Sequence, residues 1–476
     1  MTIFVEKGKD WDQRYASDHM EIGADRMIQK VPETVVSRKC NLDEPKKSPK
    51  KLVAVRYVNA THNDRASSVV NEFGHGNGSF FTAYFNVVCV VAGTGTLGLP
   101  KAFADGGWLG ILILILAYAM AVYSGIVLIR CLYCKPGERL HDYKAIGTAA
   151  FGWVGYIIAS ALHFLNLFGC PALYLVLAAG NMHALLQNTA GALDPTKWTI
   201  IWAAFLLIPS LTMKTLKEVT SIAAVGAICT MMAVFVVLIQ APMDHNSNPK
   251  PEYATTGVIW TGFPSSLATI AFSFGGNNTY PHVEHALKKP HQWKWAIVAG
   301  LSTCTCLYFL TAIPGYWSYG GATKSPIYNS LPDGAGKTLS MIVMTIHVIF
   351  AIPIYSTSFS LEFEKFIRAD EERIGRFGAW LARAIIRTCT MVILAILAIF
   401  IPYFDDFMGL IGALANCGLV FLLPIICYLK LTGVRNKPFY ELGFCALTIF
   451  LGIIGCVFGT KDAVQNLIRD FQGGHE

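Results

Sequence analysis

Charge is what this sequence has least of. Of its 476 residues, 14% are charged and 54% are hydrophobic, whereas a soluble chain carries about a quarter charged residues. The shortfall is concentrated in long apolar runs, such as Trp108 to Ile129, which holds no charged residue, and Ser221 to Pro242. An ordinary soluble globule is thereby excluded. About 20 apolar residues at 1.5 Å each cross a hydrocarbon core of roughly 30 Å, and only helices or closed barrels satisfy the backbone there. The alternation of barrel strands is missing, so the runs read as helices of an all-α polytopic membrane protein.

Other absences narrow the function. The sequence has no G-x-S-x-G, no H-E-x-x-H and no P-loop, which argues against a membrane enzyme. No apolar core of the signal-peptide kind follows Met1. The 13 cysteines make no disulfide framework. Most lie inside apolar runs and read as small, polarizable packing residues. Cys131 and Cys134 form a C-x-x-C without a second pair or a histidine motif, so no metal site is expected, and no cofactor.

What is there divides the chain in three. Residues 1–78 are polar and read as a cytosolic, largely disordered tail; its Lys46 to Lys51 run (KKSPKK) is a solvated charge cluster with the chemistry to touch an anionic membrane surface. Residues 79–459 hold eleven expected spans, at 80–101, 107–131, 150–187, 197–213, 219–241, 258–286, 294–317, 337–360, 382–402, 407–429 and 438–459. The third is too long to stand upright and must tilt or extend into water. Residues 460–476 read as a short extracytosolic tail. With the amino terminus inside, eighteen Lys and Arg outside the tail fall on inner loops and seven on the outer side. The positive-inside rule therefore places the amino terminus in the cytosol and, with an odd span count, the carboxyl terminus outside.

Two spans carry residues that a simple anchor would not collect. The first contains Gly93-Thr94-Gly95-Thr96-Leu97-Gly98-Leu99-Pro100. Each glycine costs up to about 1 kcal/mol against alanine in a helix and proline about 3. The sixth repeats the pattern, with Phe274-Gly275-Gly276-Asn277-Asn278-Thr279-Tyr280-Pro281. One such cluster alone is equally a kink or a close helix crossing. Paired interruptions five spans apart point to an inverted-repeat transporter with its site at the midplane. Freed N–H groups at half-helix ends hold a carboxylate, and freed carbonyls hold an ammonium group. A zwitterion such as an amino acid fits without a buried charged side chain.

These motifs carry a resemblance. Gly93-x-Gly95-x-Leu97-Gly98-Leu99-Pro100, with Ala102-Phe103 and Gly106-Gly107-Trp108-x-Gly110, resembles the first-helix signature of the amino acid/auxin permease family, in the APC superfamily. Ala271 to Gly276 with Pro281-x-Val283-Glu284 resembles its sixth-helix signature. The chain is most similar to fungal neutral amino acid permeases over about residues 79–459. The resemblance implies a LeuT-type fold, a 5+5 inverted repeat with discontinuous helices 1 and 6, and proton-coupled symport of neutral amino acids. It places the substrate carboxylate at the backbone of Gly93, Thr94, Gly95 and Thr96, and the ammonium group at carbonyls around Phe274, Gly275 and Gly276. Asn277 and Asn278 add side chains with the reach to meet substrate. Lys101, a departure from the family pattern, is spaced to pair with Asp105; the alternative is a place at the outer interface.

Ionisable residues within spans are functional candidates by default: His163, His183, His282, Glu284, His285 and His347. Glu284 and His163 are the proton-coupling candidates. The competing readings are an ion pair of Glu284 with Lys288 and a hydrogen-bonded core role for His163. Sodium is the alternative driver, with Thr357 and Ser358 as possible ligands. Phe164, Asn166 and Phe168 on the third span, with Phe274, have the character to shape an apolar pocket. The expected partners are a neutral L-amino acid and the lipid bilayer, with no nucleic acid, and the tail is a candidate for contacts with cytosolic regulators. The plasma membrane is favoured over the vacuole. A vacuolar carrier and a nutrient-sensing receptor on the same fold are the alternatives.

Overall fold

The computed structural model describes residues 76–473 apart from 136–137, 213–218, 368–370 and 436. The expectations for the tail up to residue 75, including Lys46 to Lys51, and for the loop residues Lys214, Lys217 and Arg368 lie outside these.

The described chain is helical throughout. Its elements are α1 (Phe80–Val91), α2 (Gly95–Gly106), α3 (Leu109–Leu132), α4 (Tyr143–Leu186), α5 (Pro195–Thr212), α6 (Val219–Ser247), α7 (Phe263–Ser273), α8 (Tyr280–His285), α9 (Trp293–Tyr319), α10 (Ala335–Phe366), α11 (Glu371–Phe400), α12 (Phe404–Ile411), a π-helical stretch (Gly412–Leu422), α13 (Leu423–Thr432) and α14 (Phe439–Gly473). Among the described residues eight helices are long and apolar enough to cross a membrane, nine if the bent pair α1/α2 is one span. Helix also occupies the other two expected segments: α5, and the pair α7/α8.

Local chemistry sets the boundaries. Ser79 opens α1 by accepting a hydrogen bond from the Thr82 amide at 3.3 Å, and Asp142 opens α4 by accepting from the Ala145 amide at 2.8 Å. The Gly93–Thr94 break bends α2 by 56° from α1. The third span is longer than expected, and Gly152, at φ +61°, divides it. The residues before it form a short separate helix rather than part of a tilted rod. The tenth span contains a π turn in which the Leu423 amide bonds the Gly418 carbonyl.

Two boundaries need correction. The last helix does not stop near 459; it continues to Gly473, so residues 460–473 are not a separate tail. At the other end, Gly76 and Gly78 bond the carbonyls of His285 and Ala286 at 3.0 and 2.8 Å, and Lys288 bonds back to Gly78. The chain is thus fixed to the end of α8 three residues before the expected boundary.

The halves of the interrupted spans pair as opposed directions require: α2 packs on α7, and α1 on α8. Around them α9 packs against α1 and α2, while α4, α6 and α10 form a second packed group.

Candidate functional site

Both breaks expose main chain. Among the described residues the amides of Gly93, Thr94 and Gly95 donate no hydrogen bond, and the carbonyls of Phe274 and Gly275 accept none. Buried backbone groups are rarely left so. The hydroxyls of Thr94 and Thr96 are also buried without a partner. The breaks lie against each other because Gly95 has no side chain: a Cβ there would stand 2.8 Å from the Cα and Oγ of Ser273. Tyr308 on α9 joins them, its hydroxyl reaching the carbonyls of Val91 (3.0 Å) and Ser273 at the ends of α1 and α7.

A cavity of about 1410 Å³ opens from the breaks. It runs toward the end of the bundle that holds Gly76–Gly78, where Lys135, Asp142, Ala286 and Glu362 line it. No lining residue comes from α2 beyond Gly95. On that far side Lys101 pairs with Asp105 at 2.7 Å, as its spacing predicts.

Of the expected substrate residues, Gly93, Thr94, Gly95, Gly275, Gly276, Asn278 and Phe164 line this cavity together. Three do not. Thr96, the second residue of α2, is buried. The Phe274 ring is fully buried and meets Tyr308 edge-on, 5.3 Å between centroids; it is core, not pocket. Asn277 turns away from the cavity, its amide bonding the Ser124 hydroxyl at 3.0 Å and the Leu419 carbonyl at 3.2 Å. Leu419 and Val420 belong to the π-helical stretch, whose carbonyls are met by side chains of α3, α4 and the break.

The two proton candidates part company as well. Glu284 is fully buried off the cavity, 2.7 Å from Arg139, and accepts a hydrogen bond from Tyr133 at 2.6 Å. Arg139 also bonds the Pro281 carbonyl at 2.8 Å. The carboxylate therefore locks α8 to the loop before α4, and its partner is not Lys288. His163 lines the cavity, and its Nε2 lies 2.8 Å from Glu362. Of the sodium candidates, Ser358 lines the cavity with its hydroxyl bonded to the Ile354 carbonyl at 2.8 Å, and Thr357 is buried without a partner for its hydroxyl.

Sequence reasoning missed several lining residues. Asn416, in the π-helical stretch, donates to the Phe272 carbonyl at 3.3 Å and accepts from Asn166 at 2.7 Å; Asn278 in turn reaches Asn166 at 3.4 Å. It is the one asparagine in the apolar segment 407–429, which was a readable signal. His347, already a candidate as an in-span ionisable residue, stands next to the first break: a Cβ on Gly93 would lie 3.7 Å from its Nε2. Glu362 fell two residues beyond the expected end of the eighth span.

Residues 76–465 match the family described as "Transmembrane amino acid transporter protein". The chain belongs to that family. It is an amino acid transporter, integral to the membrane with multiple spans, and not an enzyme. The transporter is 25% identical over 453 residues to the amino acid transporter AVT1B of Arabidopsis thaliana, covering 92% of this chain and 81% of that protein. It is 27% identical over 442 residues to the vesicular inhibitory amino acid transporter of Mus musculus, covering 87% and 81%. In structure it is similar to a Na+-coupled sialic acid symporter, with a TM-score of 0.52 at 13% identity, covering 86% of this chain and 96% of that one. It is similar also to a manganese transporter of Eremococcus coleocola, with a TM-score of 0.51 at 13% identity, covering 88% and 91%. Those likenesses establish the shared LeuT-type fold.

Proposed function

We propose that the transporter carries neutral amino acids by proton-coupled symport, binding them between the two interrupted spans. The observation that carries this reading is the meeting, on one cavity, of unpaired amides at Gly93–Gly95 with the unpaired carbonyl of Gly275. A zwitterion supplies both missing partners, the carboxylate to the amides and the ammonium group to the carbonyl. Among the described residues no carboxylate stands beside the breaks to hold a cationic side chain: Glu284 is committed to Arg139, Glu362 to Lys144 and His163, and Asp142 at the mouth to the cap of α4. Neutral substrates follow from that charge balance. The cavity opens on the side rich in Lys and Arg, so the conformation is inward-facing.

A second location is favoured by one observation. The mouse relative is vesicular by name, which supports an internal membrane alongside the plasma membrane expected from sequence.

Uptake of labelled neutral amino acids into proteoliposomes holding the full chain tests the reading. A pH gradient should drive accumulation, a protonophore should abolish it, and sodium should be dispensable. Accumulation that needs sodium and ignores the pH gradient would replace the proton, and binding without flux would favour a receptor.

A further inference from the structure

The proton candidate with access to the cavity is not a lone histidine. His163 lies on α4, its Nε2 2.8 Å from one oxygen of Glu362 on α10. The other Glu362 oxygen is held by Lys144, whose ammonium group also lies 4.5 Å from the centre of the Phe164 ring. All three side chains line the cavity. An ionised carboxylate only accepts hydrogen bonds, so the His163 Nε2 must carry the hydrogen. That leaves the Nδ1 lone pair as the free position, and the Nδ1 atom is buried without a partner.

We infer that Lys144, Glu362 and His163 form a proton-loading site in the cavity wall, in which Nδ1 of His163 takes up the proton and Glu362 and Lys144 set the pH at which it does so. This rests on the proton-coupled reading above and names the residues that perform the coupling. The step is a single transfer: a hydronium ion in the cavity gives up its proton and becomes water, Nδ1 takes the proton once the ring turns enough to uncover that atom, and the neutral imidazole becomes imidazolium. Before it, Lys144 and Glu362 cancel. After it, the site carries one net positive charge facing the space the substrate occupies.

The other ionisable groups around it are accounted for. His282 on α8 and His347 on α10 also line the cavity, with Tyr143, Tyr156 and Tyr174 on α4 and Tyr355 on α10, and Lys135 and Asp142 line the mouth; Asp142 is engaged in capping α4. Arg139 is engaged by Glu284. On α11, Arg383 and Arg387 lie 3.6 and 3.8 Å from Glu364. The described parts of α5, α6 and α12 bear Lys197, Asp244, His245, Asp405 and Asp406 at the far end of the bundle, and Lys430 lies in the last turn of α13.

The two flanking charges act in opposite senses, which gives the test its signature. Glu362 stabilises the protonated ring and Lys144 opposes it. Flux by the full chain in proteoliposomes is measured against pH on the cavity side, each variant scaled to its own maximum. Glu362→Gln should move the half-maximal point about one pH unit to more acid values, a tenfold change in proton concentration. Lys144→Met should move it to more alkaline values, Lys144→Arg should leave it in place, and His163→Gln should remove the titrating limb. If Glu362→Gln does not reach the membrane, the two Lys144 variants decide alone. Wild-type flux indifferent to pH would sink the proton-coupled reading and this site with it. A proton-driven wild type whose Glu362 and Lys144 variants shift together, or not at all, overturns this site and leaves that reading standing.

Discussion

The Tyr308 hydroxyl and the Ser273 carbonyl make the bond that ties the sixth span's break to its neighbours, and the same hydroxyl lies 3.0 Å from the Val91 carbonyl at the first span's break. A hydroxyl has one proton, so it serves one of these carbonyls at a time. Two helix ends on different spans are thereby held by one fully buried side chain on a third.

Tyr308→Phe should therefore expose a deficit rather than a clash. The ring still packs on Phe274, and one buried carbonyl loses its donor at a cost of about 1–3 kcal/mol. A lower apparent melting temperature of the detergent-solubilised protein, with reduced maximal uptake, is the expected outcome. An unchanged melting temperature would show that neither carbonyl depends on the tyrosine.

Gly95 is a matter of space. Any Cβ there would stand 2.8 Å from Ser273, nearer than two carbon atoms approach without displacement. Gly95→Leu should abolish uptake while the protein still reaches the membrane, since the outer packing of α1 and α2 is untouched. Gly95→Ala should lie between the two. Normal uptake by the leucine variant would count heavily against a site at the breaks.

The breaks were legible because glycine and proline are costly inside an apolar helix and so declare themselves. The pairing of spans one and six came from the same signal, and Lys101 with Asp105 from simple spacing. Which face a residue presents was not legible. Gly276, Asn277 and Asn278 are consecutive, yet Asn278 lines the cavity while Asn277 bonds the π-helical stretch. In an irregular segment no periodicity assigns the direction. Glu284 was visible as an in-span charge, but its partner lies 145 residues away on a loop, a distance no local spacing rule reaches. Glu362 escaped because the span was ended by hydropathy, and the helix continues past that point to Phe366.

Arg139 and Glu284 should act as a structural lock. Removing one member of a buried ion pair leaves an uncompensated charge, at a cost of about 3–5 kcal/mol. Arg139→Ala should lower expression and thermal stability strongly. Glu284→Gln, which keeps the shape and hydrogen-bonding capacity, should cost less, and because the carboxylate lies off the cavity it should leave the pH profile of the remaining uptake unchanged. A lost pH response in that variant would return Glu284 to the coupling role.

Asn416 offers the finest distinction. Its amide holds the Phe272 carbonyl beside the unpaired carbonyls of Phe274 and Gly275, and its oxygen is fixed by Asn166. The residue thus sets the position of the groups proposed to meet the substrate ammonium. Asn416→Ala would leave the Phe272 carbonyl without this donor and the α7 end free to shift. Since a hydrogen bond to a charged group contributes about 1.5–3 kcal/mol, misplacing one such contact should raise KM for neutral amino acids by roughly tenfold or more. Asn416→Asp tests the same point from the other side. A carboxylate keeps the size but cannot donate to the Phe272 carbonyl, and it places negative charge near the ammonium position, so it should restore affinity preferentially for cationic substrates. Kinetics of uptake across a panel of neutral and cationic amino acids separate these outcomes. Equal KM values in all three proteins would place the substrate away from the sixth-span break.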